Sequence, residues 1–157
     1  MMRVGQGLDV HAFSDDDERV LVLGGVHFVG ERGLSGHSDA DVVAHACADA
    51  LLGACDLGDI GAHFPDTDER WRAANSIDLL SEVVRMIAAR GWQPINIDCT
   101  VMCESPTLSA HRDEMRQRLS GAVGAPVSVK GTRPEGLGSL GRGEGIACWA
   151  VALVEGP

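Results

Sequence analysis

Two polar groups in this chain have the residue types and the spacing of a catalytic metal site. Asp9 and His11 stand one residue apart at the end of an apolar N-terminal run, and His45 follows 34 residues after His11. In a strand, residues i and i+2 face the same side, so Asp9 and His11 can bind one ion together. Two imidazoles and one carboxylate give zinc three protein ligands and leave its fourth position open, as in catalytic zinc sites.

Two carboxylates flank His45 in sequence. Asp41, His45 and Asp49 are spaced four residues apart, which places them on one face of a helix. A carboxylate beside a metal-binding imidazole fixes its tautomer and orientation, so Asp41 and Asp49 are predicted to support His45. The alternative is that Asp9 and His11 form a surface hydrogen-bonded pair and that His45 is an ordinary helix histidine.

Three further segments have the composition of binding loops. His37-Ser38 precedes the predicted helix, with Ser38 as its N-cap, and a helix N-terminus can bind an anion. The loop from Asp56 to Trp71 is acidic, which suits either solvent or the hydroxyls of a polyol. The glycine-rich segment from Thr132 to Gly145 matches no Walker or Rossmann pattern. Phosphate binding and a flexible hairpin are about equally consistent with it, although three cations cluster there: Lys130, Arg133 and Arg142.

Composition limits the class of protein. The 157 residues suffice for one domain, 1–157, and 45% of them are hydrophobic, which argues against disorder. The net charge of −10 disfavours binding to nucleic acid. No apolar run has the ~20 residues needed to span a bilayer, and no leader precedes the first strand, so we expect a cytoplasmic protein without membrane contact. The five cysteines are expected to be buried, reduced thiols.

The spacing of apolar residues predicts the strands and helices that must position these polar residues. Strands are predicted at Arg3–Asp9, Ile95–Cys103, Val127–Lys130 and Ile146–Val154, the last of them central, and a hairpin is predicted around Gly24-Gly25. Helices are predicted from Ser38 to Leu52, from Ser76 to Gly91 and from Leu108 to Val123. The order indicates an α+β fold: a two-layer sandwich of a mixed sheet with helices on one face, plus a small N-terminal β-hairpin.

Taken together, the motifs resemble the 2-C-methyl-D-erythritol 2,4-cyclodiphosphate synthase family of the non-mevalonate isoprenoid pathway. The resemblance covers essentially the whole chain. It is carried, in order, by Gly5–His11, Gly36–Ala46, Asp49–Gly53, Leu57–Gly61, Phe64–Asp68 and Gly141–Ala147.

The resemblance implies a homotrimer with active sites between subunits and one zinc per subunit on Asp9, His11 and His45. It implies that the 2-phosphate of a cytidine diphosphate substrate attacks the β-phosphorus and expels CMP, leaving a cyclic diphosphate. A second divalent cation, Mg²⁺ or Mn²⁺, would bridge the diphosphate near Glu135. His37 would stabilise the transition state, the Asp59 and Phe64 loops would hold the erythritol, and the backbone of 103–109 would line the cytosine pocket.

The complete expected set of substrate-binding residues extends over six segments. It comprises Asp9, His11, His37, Ser38, Asp59, Ile60, Gly61, Phe64, Pro65, Asp66, Thr67, Asp68, Cys103, Glu104, Ser105, Pro106, Thr107, Leu108, Ser109, Thr132, Arg133, Pro134, Glu135, Ser139 and Arg142.

The chain departs from the usual family pattern in four places. Thr132-Arg133-Pro134-Glu135 stands where the family usually has Thr-Thr-Thr-Glu, and Thr107 stands where a lysine is usual; Gln6 and Ser139 also differ. We expect Arg133 to assist catalysis in place of the threonine, because a guanidinium can bind a diphosphate in bidentate fashion. The alternative, about equally consistent with the sequence, is that Arg133 points to solvent and has no part in catalysis. Two other functions stay open: a zinc phosphohydrolase, and a catalytically impaired trimer that binds isoprenoid diphosphates.

Overall fold

Long strands with alternating buried and exposed residues build the main sheet. The computed structural model describes residues 1–157. Its strands are β1 (Met2–Ala12), β2 (Val20–Leu23), β3 (Val26–Arg32), β4 (Gln93–Met102), β5 (Val127–Thr132) and β6 (Gly145–Glu155). Its helices are α1 (Val42–Ala54), α2 (Ile60–His63), α3 (Ser76–Ala88), α4 (Arg112–Val123) and α5 (Gly138–Gly141), with a 3₁₀ turn at Glu69–Trp71.

The main sheet is mixed, as predicted. Its strand order is β1-β6-β4-β5, with β4 and β5 parallel and the other two pairs antiparallel. The apolar strand β6 is therefore an inner strand, which confirms its predicted central place. The strands β2 and β3 form the separate hairpin.

Helix α1 packs very closely on β1 because β1 carries glycine where they meet. A Cβ added at Gly5 would lie 2.0 Å from the carbonyl oxygen of Ala50, and one at Gly7 would lie 1.9 Å from that of Ala46. No side chain fits in that space. The two glycines thus bring α1, with His45, against the face of β1 that carries Asp9 and His11.

The start of α1 differs from the prediction. The N-cap is Asp41, not Ser38, and the helix begins at Val42. Ala40 adopts a left-handed conformation with φ 57°, which turns the chain before the helix can start. The carboxylate of Asp41 accepts hydrogen bonds from the N–H groups of Val43 and Ala44 and also from those of Gly24 and Gly25. One buried side chain therefore joins the hairpin turn to α1.

Other boundaries shift by local packing. Helix α4 begins at Arg112, four residues later than predicted, after a turned segment. Ile95 is 37% exposed because the register of β4 against β6 shifts between Pro94 and Asn96, whereas the predicted inward residues that follow are buried. The short helices α2 and α5 lie in segments that were predicted as loops.

The opposite face of the sheet is uncovered, and its part on β1 and β6 exposes apolar side chains. Four apolar side chains there are between 47% and 69% exposed: Val4, Leu8, Val10 and Val151. All five cysteines are buried, as predicted. None of the helices combines the length and the apolar character that a membrane crossing requires.

Candidate metal centre and active site

The three predicted metal ligands meet in space. Asp9 and His11 project from the same face of β1, and His45 comes from the first turn of α1. Oδ2 of Asp9 lies 3.1 Å from Nε2 of His11 and 3.0 Å from Nδ1 of His45. One ligand atom from each residue lies within 4.8 Å of the other two, so the three residues form a metal-binding triad.

The electrostatics of the triad suit a cation. Burial opposes ionisation of Asp9, but the hydrogen bonds and charges of His11 and His45 outweigh it and hold the pKa of Asp9 below its usual value. Burial also opposes protonation of His11, yet the hydrogen bond to Asp9 raises the pKa of His11. Nδ1 of His11 lies 2.5 Å from the Ser35 carbonyl oxygen, which can only accept, so Nδ1 carries a proton when the ring is neutral and Nε2 is left to bind. This donor set, two imidazole nitrogens and one carboxylate, fits a metal with an open coordination position.

The two carboxylates predicted to support His45 accept hydrogen bonds from backbone N–H groups instead. Asp41 is turned away to the helix N-terminus and the hairpin, as described above. Asp49 accepts a hydrogen bond from the N–H of Ile60 at 2.7 Å, and burial raises its pKa. The prediction for Asp41 was wrong because this residue is the N-cap of α1 and does not lie on the helix face of His45. The prediction for Asp49 was wrong because helical spacing shows which face a residue shares but not which way its side chain turns. Hydroxyl groups contact His45 instead: Oγ of Ser76 and Oγ of Ser38 lie 2.8 Å and 3.3 Å from its Nε2.

A cavity of about 300 Å³ opens at the triad. Five other residues expected to contact substrate line it with the triad: His37, Ser38, Ile60, Phe64 and Asp66. Trp71 and Leu79 also line it, and neither was predicted from the sequence. The ring of Trp71 meets that of Phe64 edge-on, with centroids 5.0 Å apart. The only feature of the sequence that could have indicated Trp71 as a cavity residue is its position as an aromatic residue shortly after Phe64.

The rest of the acidic loop does not line this cavity. Asp59 caps α2 by accepting from the N–H of Ala62 at 2.9 Å. Asp68 pairs with Arg70, which lowers the pKa of Asp68, and its carbonyl oxygen lies 3.2 Å from Nε2 of His37. Gly61, Pro65 and Thr67 are also absent from the cavity wall.

A second cavity, of about 240 Å³, lies where β4 and β5 end. Most of the predicted nucleotide segment 103–109 lines it, namely Cys103, Pro106, Thr107, Leu108 and Ser109. Thr132 and Arg133 of the glycine-rich segment line it as well. Glu104 instead accepts a hydrogen bond from the N–H of Gly136 at 2.6 Å and so fastens the following loop. Ser105, Pro134, Glu135 and Ser139 do not line the cavity, and Glu135 stands in a left-handed conformation with φ 54°.

The cations near this cavity fall into two groups. Lys130 pairs with Asp98, and Nε of Arg142 donates to Glu144 at 2.6 Å, so both are neutralised within the chain. No carboxylate pairs with Arg133 or with Arg112, and both line the cavity. Arg112 was not predicted from the sequence, because it joins Arg133 at this cavity only through the packing of α4 beside β5.

The fold and the site together define the class of protein: an α+β domain with a three-ligand metal centre beside one cavity and two unpaired arginines at another. Comparison with known proteins is more specific. The sequence model of the YgbB family matches residues 2–155, and the chain therefore belongs to the YgbB family.

Individual proteins of known name or structure are similar to the chain over nearly its whole length. The chain is 58% identical to the 2-C-methyl-D-erythritol 2,4-cyclodiphosphate synthase of Rubrobacter xylanophilus, over 98% of this chain and 94% of that protein. The bifunctional IspDF of Campylobacter jejuni superposes with a TM-score of 0.94 at 38% identity, over 100% of this chain and 43% of that one. A 2C-methyl-D-erythritol-2,4-cyclodiphosphate synthase with bound CDP superposes with a TM-score of 0.87 at 35% identity, over 98% of this chain and all of that one.

Proposed function

We propose that this chain converts 4-diphosphocytidyl-2-C-methyl-D-erythritol 2-phosphate to 2-C-methyl-D-erythritol 2,4-cyclodiphosphate and CMP. The observation that carries the proposal is the Asp9–His11–His45 triad, which opens into a cavity beside His37 in a chain 58% identical to a synthase of that name. An oxygen of the 2-phosphate forms a bond to the β-phosphorus, and the bond from that phosphorus to the oxygen of the CMP leaving group breaks. The reaction needs no protein nucleophile.

Binding and positioning are the work of the protein in such a step. Asp9, His11 and His45 would hold zinc, one ion per subunit, and the bound ion would polarise the substrate phosphate and neutralise part of its charge. His37 faces the same cavity, where its imidazole stabilises the developing negative charge. Ile60, Phe64 and Asp66 line the same cavity and hold the erythritol part. Glu135 supplies a carboxylate for a second divalent cation, Mg²⁺ or Mn²⁺.

The second cavity takes the cytidine nucleotide. Its wall is formed by the segment 103–109 and by β5, and relatives of similar fold have been solved with CDP. Arg133 and Arg112, which have no carboxylate partner, contact the phosphates and supply the positive charge that Thr107 lacks. In this arrangement Arg133 is catalytic, because it touches the diphosphate whose β-phosphorus reacts.

The functional unit is a homotrimer with the active site between subunits. Two features of the single chain support this assembly. The outer face of the sheet exposes a stripe of apolar side chains that a second copy would cover. The two cavities also stand apart: β1 and β5 are separated by β6 and β4, or about 14 Å at the usual strand spacing. A site that combines the metal cavity of one subunit with the nucleotide cavity of its neighbour accounts for both features.

The proposed reaction can be tested by phosphorus NMR. The protein, with zinc and magnesium, is incubated with the cytidine substrate, and the products are followed with time. We expect CMP and the cyclic diphosphate in equal amounts. A zinc phosphohydrolase would release CMP but leave a linear bisphosphate, and a catalytically impaired diphosphate-binding trimer would release no CMP. Either result would contradict the proposed reaction.

A further inference from the structure

A buried hydrogen-bonded chain leads away from the metal centre behind His45. Ser76, the first residue of α3, is 1% exposed, and its Oγ lies 2.8 Å from Nε2 of His45. The same hydroxyl contacts Oδ1 of Asp39, and the N–H of Ser76 donates to Oδ2 of Asp39 at 3.1 Å. Asp39 therefore holds Ser76 at two points, and Ser76 meets the ring nitrogen that does not face Asp9.

The direction of these hydrogen bonds follows from the number of protons available. A hydroxyl group has one proton, and an ionised carboxylate can only accept. Ser76 therefore donates its proton to Asp39 and accepts from Nε2–H of His45. With the proton on Nε2, the neutral imidazole presents a lone pair at Nδ1, the atom 3.0 Å from Oδ2 of Asp9.

We propose that Ser76 and Asp39 are positioning residues of the metal centre, which fix His45 as the tautomer and orientation that binds metal through Nδ1. The inference rests on the zinc centre proposed above. Carboxylate groups commonly orient metal-binding imidazoles, and losing such a partner typically weakens metal binding 10–100-fold. Here the carboxylate acts through a serine from another helix.

The same contacts connect the metal centre to the wall of the substrate cavity. The N–H of Asp39 donates to the Ala74 carbonyl at 3.1 Å, and the N–H of Ala73 donates to the His37 carbonyl at 2.9 Å. The segment that carries Phe64, Asp66 and Trp71 is thus fastened beside His45 at its C-terminal end. Asp39 and Ser76 position a metal ligand and this loop together.

The direct test is the zinc affinity of Ser76→Ala, measured by competition with a chromogenic chelator at fixed pH. We expect a loss of roughly 10–100-fold relative to the wild type. Ser81→Ala is the matched control, because Ser81 lies on the same helix and its hydroxyl bonds only the Ile77 carbonyl at 2.9 Å. Its zinc affinity should equal that of the wild type. Adding Asp39→Asn to Ser76→Ala should cause little further loss, because Asp39 acts through Ser76.

A spectroscopic measurement on the unaltered protein makes the test independent of any variant's folding. In ¹⁵N NMR of the zinc-loaded wild type, the His45 ring should carry its proton on Nε2. A proton on Nδ1, or a Ser76→Ala variant that binds zinc within twofold of the wild type, would overturn the inference while leaving the zinc centre intact. If the wild type instead binds no more zinc than the His45→Ala variant, the proposed zinc centre is refuted, and the inference that rests on it is refuted as well.

Discussion

At the scale of single residues, Arg133 is the cation that the sequence predicted to assist catalysis. Its guanidinium lines the nucleotide cavity and has no carboxylate partner, and Pro134 beside it has no N–H to offer a phosphate. In the loop 132–135, the guanidinium of Arg133 is therefore the group proposed to bind phosphate. We expect Arg133→Thr to lower kcat/KM for the cytidine substrate about ten-fold or more, equivalent to the ~1.5–3 kcal/mol of one hydrogen bond to a charged group.

Arg116→Thr is a suitable control for this measurement. Arg116 lies on the solvent side of α4, where it pairs with Asp113, and it lines neither of the two cavities. Its replacement should leave kcat/KM unchanged. If Arg133→Thr is as active as the wild type, the arginine does not substitute for the usual threonine, and the charge at this cavity must come from Arg112.

Residues of one type in one short segment illustrate what the sequence can and cannot predict. The ligands Asp9 and His11 were predictable because the spacing of two residues in a strand is local information. The acidic residues Asp39 and Asp41 lie two positions apart, yet one supports the metal centre through Ser76 and the other caps α1. Ala40, in its left-handed conformation, separates these two roles. No pattern in the sequence reveals that turn or the approach of Ser76, which is 31 residues from His45.

At the scale of elements, the separation of α1 and β1 determines whether the triad can form. At Gly7 an added Cβ would meet the backbone of α1 rather than a movable side chain. Gly7→Ala should therefore push α1 away from β1, reducing the free energy of unfolding by about 3 kcal/mol and lowering the zinc content, since His45 moves away from Asp9. Urea denaturation and elemental analysis measure the two effects.

For Gly121→Ala we expect the opposite change in the free energy of unfolding. Gly121 lies inside α4, and a Cβ there would meet nothing within 4 Å. Replacement should stabilise the protein by about 0.5–1 kcal/mol, the usual gain for alanine over glycine in a helix. Wild-type stability and zinc content in Gly7→Ala would contradict the close-packing argument.

The elements themselves were largely predictable, and their ends were not. Apolar periodicity identified every long strand and helix, including the inner position of β6. The predicted N-cap at Ser38 was wrong because the cap is chosen by tertiary contacts: Asp41 also serves the turn at Gly24 and Gly25. The helix predicted from Leu108 begins only at Arg112, because Leu108 and Ser109 form part of the wall of the second cavity instead.

At the scale of the whole molecule, the exposed apolar stripe on β1 and β6 is the surface that the proposed trimer must bury. Val151 stands on the inner strand β6 and is 47% exposed. Val151→Asp would place a carboxylate in the interface of each subunit, where it would lose hydration and find no partner. We expect light scattering to show the three-chain mass for the wild type and the single-chain mass, 16.5 kDa, for the variant.

The zinc content and the synthase activity of the Val151→Asp protein distinguish a site shared between subunits from a site within one subunit. All three metal ligands come from one chain, so the dissociated Val151→Asp protein should retain its zinc. It should nevertheless lose synthase activity, because the metal cavity and the nucleotide cavity that serve one substrate belong to different subunits. Val29→Asp is the control: Val29 is 92% exposed on the hairpin, outside the sheet face, and should remain trimeric and active. A wild-type protein that is monomeric at micromolar concentration, or a Val151→Asp monomer with full activity, would refute a site shared between subunits.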